Sequence, residues 1–292
     1  MNPAAPRTAF SGRVPGGAAL VWLLLAPSLL IYGACFVWPT AVLLARSIYE
    51  DGAFTLANFV ELLSTPLYLT VIATTFRLSL IVTVISLVLG YPVAMMLARS
   101  SGAWRIILLV AVTIPYWLDY IVRTYSWMVL LGRNGFLNQI LVALGLVEVP
   151  VSHLSSDLAV IVGMVQVMLP LMVLSLYAGM VRIDASLLDV AAAHGAGSWS
   201  AFRTVFLPLS MPGVVAGSLL TFVNCMGFYI TPALLGGPKQ TMISQTIDSF
   251  ASKLLDWPLA SAAAAMLLFA TIVLMAVFNR FLGFEKLAGG TS

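Results

Sequence analysis

Apolar residues run in long blocks along this chain, broken by short polar stretches, and six blocks approach the length of a membrane crossing. A helix rising about 1.5 Å per residue needs about 20 residues to traverse a hydrocarbon core about 30 Å thick. The blocks fall at residues 18–44, 70–98, 106–131, 158–181, 213–235 and 259–281. Inside lipid each backbone N–H and C=O must find its partner within its own segment, so helices are expected. Barrel strands would alternate apolar and polar residues, and a run such as ILLVAVTIPYW does not. The pattern predicts an all-α, polytopic membrane protein with six transmembrane helices.

Composition agrees. The chain is 61% hydrophobic and 9% charged, whereas soluble domains are about a quarter charged. Too few polar residues remain to clothe a water-soluble globule. Charge adds an orientation. With the N-terminus in the cytoplasm, Arg7, Arg13, Arg99, Arg105, Arg182, Arg203, Arg280 and Lys286 lie inside, and Arg46, Arg133, Lys239 and Lys253 lie outside. That excess is the positive-inside bias, so both termini are expected to be cytoplasmic. The net charge of +3 then reports topology and gives no reason to expect nucleic acid.

Residues 1–17, rich in Pro, Gly and Ala, read as a disordered tail. A membrane domain at 18–284 follows, then a second cytoplasmic tail at 285–292. The Gly33-Ala34-Cys35 tripeptide faintly suggests lipoprotein processing. However, the apolar block outruns a signal core of about 7–15 residues, and Tyr32 is bulky for such a site, so the block reads as a span. Cys35 and Cys225 sit in apolar blocks, at no disulfide or metal spacing.

One connection, at 182–208, has the chemistry of folded structure. Ser186 and Asp189 have capping-box spacing, and 187–193 is a good helix former. Gly195 and Gly197 are placed to end that helix, and Ser198 to cap a second one at 199–206 that stops before Leu207-Pro208. A helix–turn–helix at the membrane surface is expected, and on this ground alone it could be a mere amphipathic connector.

Residues 189–195, DVAAAHG, and 205–208, VFLP, resemble the EAA signature of type I ABC importer permeases. That signature runs Glu-Ala-Ala, three residues, Gly, nine residues, then Ile, any residue, Leu, Pro. Asp189 stands for Glu, Val190 for the first Ala and Val205 for Ile, while Ala191, Gly195, Leu207 and Pro208 match. Ala192 and His194 occupy the spacer, His194 where the family usually carries a hydrophobe. Segments 121–138 and 227–243 look like the spermidine/putrescine branch of the same family.

The resemblance implies a type I permease fold in a bacterial cytoplasmic (inner) membrane, passing polyamine or a related small organic solute inward by alternating access. It implies a second permease subunit, paralogous or identical, two ATP-binding subunits, an external solute-binding protein and membrane lipid as partners. Asp189, Ala191, Ala192, His194, Gly195, Leu207 and Pro208 would then form the ATPase-coupling element. ATP would be used by the partner, with no cofactor bound by this chain. In keeping with that, the sequence has no phosphate loop of the form G-x-x-x-x-G-K-[ST], no paired acid and base and no metal-ligand cluster, so neither a catalytic nor a metal site is expected.

Tyr116, Asp119, Tyr120, Arg123, Tyr125, Phe228 and Tyr229 are the candidates for a solute pathway. Asp119 and Arg123 lie one helical turn apart, and each charge at a bilayer centre costs about 2.5–3.5 kcal/mol. They read either as a local i,i+4 ion pair flanked by an aromatic belt or as a polar lining for a cationic solute. The aromatic rings would favour that cation and Arg123 would oppose it. Arg77 is expected to snorkel to the outer interface, Gly213 and Gly217 to pack within the chain, TPALLGGP at 231–238 to break the fifth span, and His153 to sit solvated in a loop. An ion-coupled secondary transporter or gated channel is the alternative class. No inverted repeat of the kind common there is visible.

Overall fold

The computed structural model describes residues 17–50, 52–145, 152–184 and 186–282. Apart from Gly17, the two expected tails lie outside them. The first span is a run of α1 (Gly17–Tyr32), a π-turn at Gly33–Val37 and α2 (Trp38–Arg46). The π-turn has a local cause. Pro39 lacks an N–H and its ring crowds the carbonyl four residues back, and a turn widened by one residue relieves that clash. Trp38 N–H accordingly bonds Gly33 O, five residues back.

A two-residue ladder, β1 (Tyr49–Glu50) against β2 (Ala53–Phe54), pairs Tyr49 with Phe54 and leads to α3 (Ala57–Ser64). Next comes α4 (Pro66–Arg99), whose 34 residues extend about 51 Å, longer than a bilayer core is thick. The expected third span, 106–131, is not one helix. α5 (Gly102–Trp117) and α6 (Tyr120–Leu131) meet at a break, and the axis turns by 88° between Gly102–Trp117 and Tyr120–Ala143, a stretch that includes α7 (Phe136–Ala143). Hydropathy is blind to such a bend, since both arms are apolar.

α8 (Asp157–Met180) matches the fourth expected span closely. α9 (Ser186–Ala193) and α10 (Ser198–Ala201) form the expected helix pair, but the second does not stop at Leu207-Pro208. It passes through a π-turn at Phe202–Phe206 into α11 (Leu207–Met226), giving a single rod of 29 residues, Ser198–Met226. The π-turn again precedes a proline, Pro208, and Leu207 N–H bonds Phe202 O. Thus the fifth span begins before 213 and ends at Met226, short of 235. The break falls at Gly227, ahead of TPALLGGP. α12 (Ile230–Leu235), a 3-10 turn at Pro238–Gln240, α13 (Ile243–Asp248) and a π-turn at Ser249–Leu254 then lead to α14 (Trp257–Leu282). Among the described residues five helices are long and apolar enough to cross a membrane, or six if the bent pair counts as one.

α4, α8 and α11 make the core. Leu78, Val82, Met164, Met168 and Cys225 fill it near the cavity described below. Ala94, Met172, Leu176, Met180 and Phe206 fill it at the α9 end. Gly213 faces Gly179 of α8, and Gly217 faces Met172 and Ser175, so the small residues serve packing inside the chain.

Two side chains are not left to solvent alone. Arg77 is half-exposed, and its Nη2 lies 2.8 Å from Asp157 Oδ2 at the start of α8. Gln240 Nε2 donates to the other carboxylate oxygen at 2.7 Å. Nor is His153 simply solvated. It is half-buried, its backbone N–H bonds Leu131 O, and its Nε2 is shut off from solvent.

Candidate functional site

Two features bear on function: a surface helix pair and a cavity, with the Ser198–Met226 rod between them. In the pair, α9 is capped by a residue other than the one expected. Asp184 Oδ1 accepts the Ser186 backbone N–H at 2.9 Å. That bond holds the Asp184 carboxyl below the ordinary carboxylate value. Asp184 and Ser186 are both good caps by type, and only the chain's path decides between them.

The far end of α9 closes as a Schellman motif. Gly195 N–H bonds Ala192 O and Ala196 N–H bonds Ala191 O, with Gly195 at φ +82°, where a side chain is strained. Gly197 is different: at φ −66° it is extended and caps α10 with its carbonyl, which accepts Ala201 N–H. Ser198 is the first residue of α10 and makes no cap. His194 turns back so that Nδ1 lies 2.8 Å from Val190 O. A carbonyl only accepts, so Nδ1 carries the proton.

Of the seven residues of the resemblance, Asp189, Ala192, His194 and Gly195 are exposed and Ala191 is half-buried. Leu207 and Pro208 sit apart from them, inside the rod beyond the π-turn. Leu187, Val190 and Trp199 leave apolar surface uncovered on the pair. On the inner side Phe202 stacks on Trp199 and Phe206 and meets Tyr91 edge-on. The Arg99 guanidinium lies 5.2 Å from the Phe206 ring centroid. This aromatic column and the Tyr91–Ser210 hydroxyl contact at 2.8 Å fasten the pair to α4.

The cavity lies where the α5–α6 bend meets the break after α11, and holds about 550 Å³. Six of the seven pathway candidates line it: Tyr116, Asp119, Tyr120, Arg123, Phe228 and Tyr229. Tyr125 does not and is exposed elsewhere on α6. Leu118, Val167, Met168, Asn224, Gly227 and Ile230 complete the wall. Sequence reasoning missed Val167, Met168 and Asn224 because they come from the middle of α8 and the end of α11, whose facing surfaces no local pattern reveals.

Asp119 and Arg123 are not the ion pair that their spacing suggested. Asp119 caps α6 instead, its Oδ1 accepting Ile121 N–H at 2.8 Å and Val122 N–H at 3.2 Å. A capping residue leaves helical geometry, and that exit is the bend. Arg123 is 8% exposed, and its Nε and Nη1 meet no acceptor. Burying a cation without a partner costs several kcal/mol. α12 completes the site. Thr124 donates to Tyr120 O, which leaves Thr231 to donate across to Thr124 Oγ1 at 3.2 Å.

Comparison with known proteins agrees with this architecture. Residues 86–284 match the family described as binding-protein-dependent transport system inner membrane component. The chain is 35% identical to the spermidine/putrescine transport system permease protein PotB of Haemophilus influenzae, over 89% of each chain. It is 33% identical to PotB of Escherichia coli, over 89% of this chain and 93% of that one. Among solved structures, a bacterial alginate ABC transporter, in complex with an alginate pentasaccharide-bound periplasmic protein, superposes with a TM-score of 0.71 at 20% identity. It covers 90% of this chain and 93% of that one. Family membership makes this a multi-pass inner-membrane transport subunit. The sequence resemblance, the fold and these matches coincide: the chain belongs to the family of inner-membrane permease components of binding-protein-dependent importers.

Proposed function

We propose that this permease moves a polyamine, or a related small organic solute, through the cavity at the α5–α6 bend, driven by a separate ATPase that docks on α9. One observation carries the proposal: the unbroken Ser198–Met226 rod starts in the surface pair and ends at the cavity wall. A displacement imposed on α9 and α10 is thereby delivered to Gly227 and Phe228, because a helix resists bending and the aromatic column holds its lower end. The uncovered Leu187, Val190 and Trp199 supply apolar contact for an ATPase groove. In this reading 182–208 is cytoplasmic, as are both termini, and a second permease and an external binding protein complete the complex. The polyamine rests on kinship with PotB.

The test is ATP-dependent uptake of labelled spermidine and putrescine by the reconstituted complex with its binding protein. Gly195→Asp puts a side chain at a left-handed position on the docking face. It is expected to leave membrane insertion intact and abolish uptake while ATP hydrolysis continues. Unchanged uptake in that variant would remove the coupling role.

A further inference from the structure

Resting on the cavity as solute pathway, and choosing the related organic solute over a bare polyamine, we infer that the solute carries a carboxylate, or an equivalent acceptor group, which docks on Arg123. The guanidinium is more than nine-tenths buried, lines the cavity, and has Nε and Nη1 without an acceptor. A buried guanidinium normally takes a planar, two-oxygen partner, which its fork of N–H groups matches. Asp119, the carboxylate that shares the cavity wall, makes no ion pair with Arg123. Asp119 Oδ1 holds two backbone N–H groups at the start of α6, where the helix terminus itself adds positive potential. The wall therefore holds a negative charge near Arg123 but no acceptor on its Nε and Nη1, and an incoming acceptor would supply one.

A bare diamine leaves Arg123 without an acceptor, because neither of its ammonium groups can accept a hydrogen bond. An amino-carboxylate fits better. Its carboxylate would meet Arg123, and its ammonium would lie on the faces of Tyr116, Tyr120 and Phe228, within reach of Asp119's outer oxygen. The solute class assigned to the cavity is thus a small zwitterion, with amine and carboxylate separated by a short chain.

The experiment measures equilibrium binding of labelled γ-aminobutyrate and putrescine to the complete transporter in nanodiscs, without the binding protein, so that only the membrane cavity selects. The expected result is γ-aminobutyrate tighter by about tenfold or more, the scale of one charge-assisted hydrogen bond. Arg123→Gln should erase that preference by weakening γ-aminobutyrate alone, and Arg123→Lys should keep part of it. Asp119→Asn, which retains the helix cap, should weaken both ligands. The inference is overturned if putrescine binds as tightly in the wild type, if Arg123→Gln weakens both ligands equally, or if neither binds. It is also overturned if Arg123→Gln loses the second permease on purification, because the missing acceptor would then belong to that subunit. ATP-dependent uptake is measured on the same preparations. Its failure with cavity binding intact would count against the importer reading and leave the carboxylate site standing.

Discussion

Gly179 and Gly213 stand backbone to backbone: a methyl carbon built on Gly179 would lie 2.8 Å from the Cα of Gly213. No flexible side chain is present there to yield, so α8 and α11 would have to separate. Gly179→Ala is expected to destabilise the fold by about 1–3 kcal/mol, the usual penalty of overpacking. Thermal unfolding of the purified complex in detergent would report it as a lower midpoint. Gly197→Ala is the control, with open space around it and an ordinary φ, and should lower the midpoint less, by the small cost of alanine at an N-cap.

The second close approach positions the cavity. A Cβ on Gly163 would meet Leu235 Cδ1 at 2.5 Å and Thr231 Cγ2 at 2.7 Å. Gly163→Val is expected to push α12 away from α8, break the Thr124–Thr231 contact and cut uptake several-fold, with expression and assembly retained. Uptake at wild-type rate would show that α12 can shift without consequence for transport.

Arg77 and Asp157 pair at 2.8 Å with 51% and 38% of their side chains exposed. At that exposure a double-mutant cycle over Arg77→Gln and Asp157→Asn should give a coupling of about 0.5–1 kcal/mol, read from unfolding midpoints. Asp157→Asn alone keeps an acceptor for Gln240, so it should cost less than Asp157→Ala.

Asp184 makes α9 depend on a single carboxylate. Asp184→Ala is expected to speed amide exchange at Ser186 and through the first turn of α9, leaving α8 protected. The folded carboxyl titrates below its ordinary value. The cap is therefore complete above the ordinary carboxylate range, about pH 4, and is lost as pH falls through the depressed value. Protection of α9 should accordingly be flat between about pH 6 and 8 once intrinsic exchange is corrected for.

Much of this was legible in the sequence because lipid enforces simple rules. The apolar blocks ending near Ala98, Val181 and Phe281 match helices ending at Arg99, Met180 and Leu282, since the length of a crossing leaves little latitude. Gly195 was legible too, because its position after an alanine-rich helix calls for the left-handed turn it makes. Other features needed the tertiary structure. Pro208 reads as a stop until a π-turn accommodates it. Asp119 and Arg123 have the spacing of a pair, yet a cap competes for the same carboxylate, whose Oδ1 accepts the Ile121 and Val122 N–H groups. That the arginine then stays buried and unpaired could not have been read from either residue.

The bend at Asp119 has one more consequence. α5 has 16 residues and reaches about 24 Å before the chain turns aside by 88°. That is short of a full crossing, so on this flank the protein offers lipid a notch instead of a rail. A lone copy in a bilayer would have two tyrosines and the Asp119 carboxylate opening on to hydrocarbon. In the proposed complex, the second permease would be the part that seals this notch.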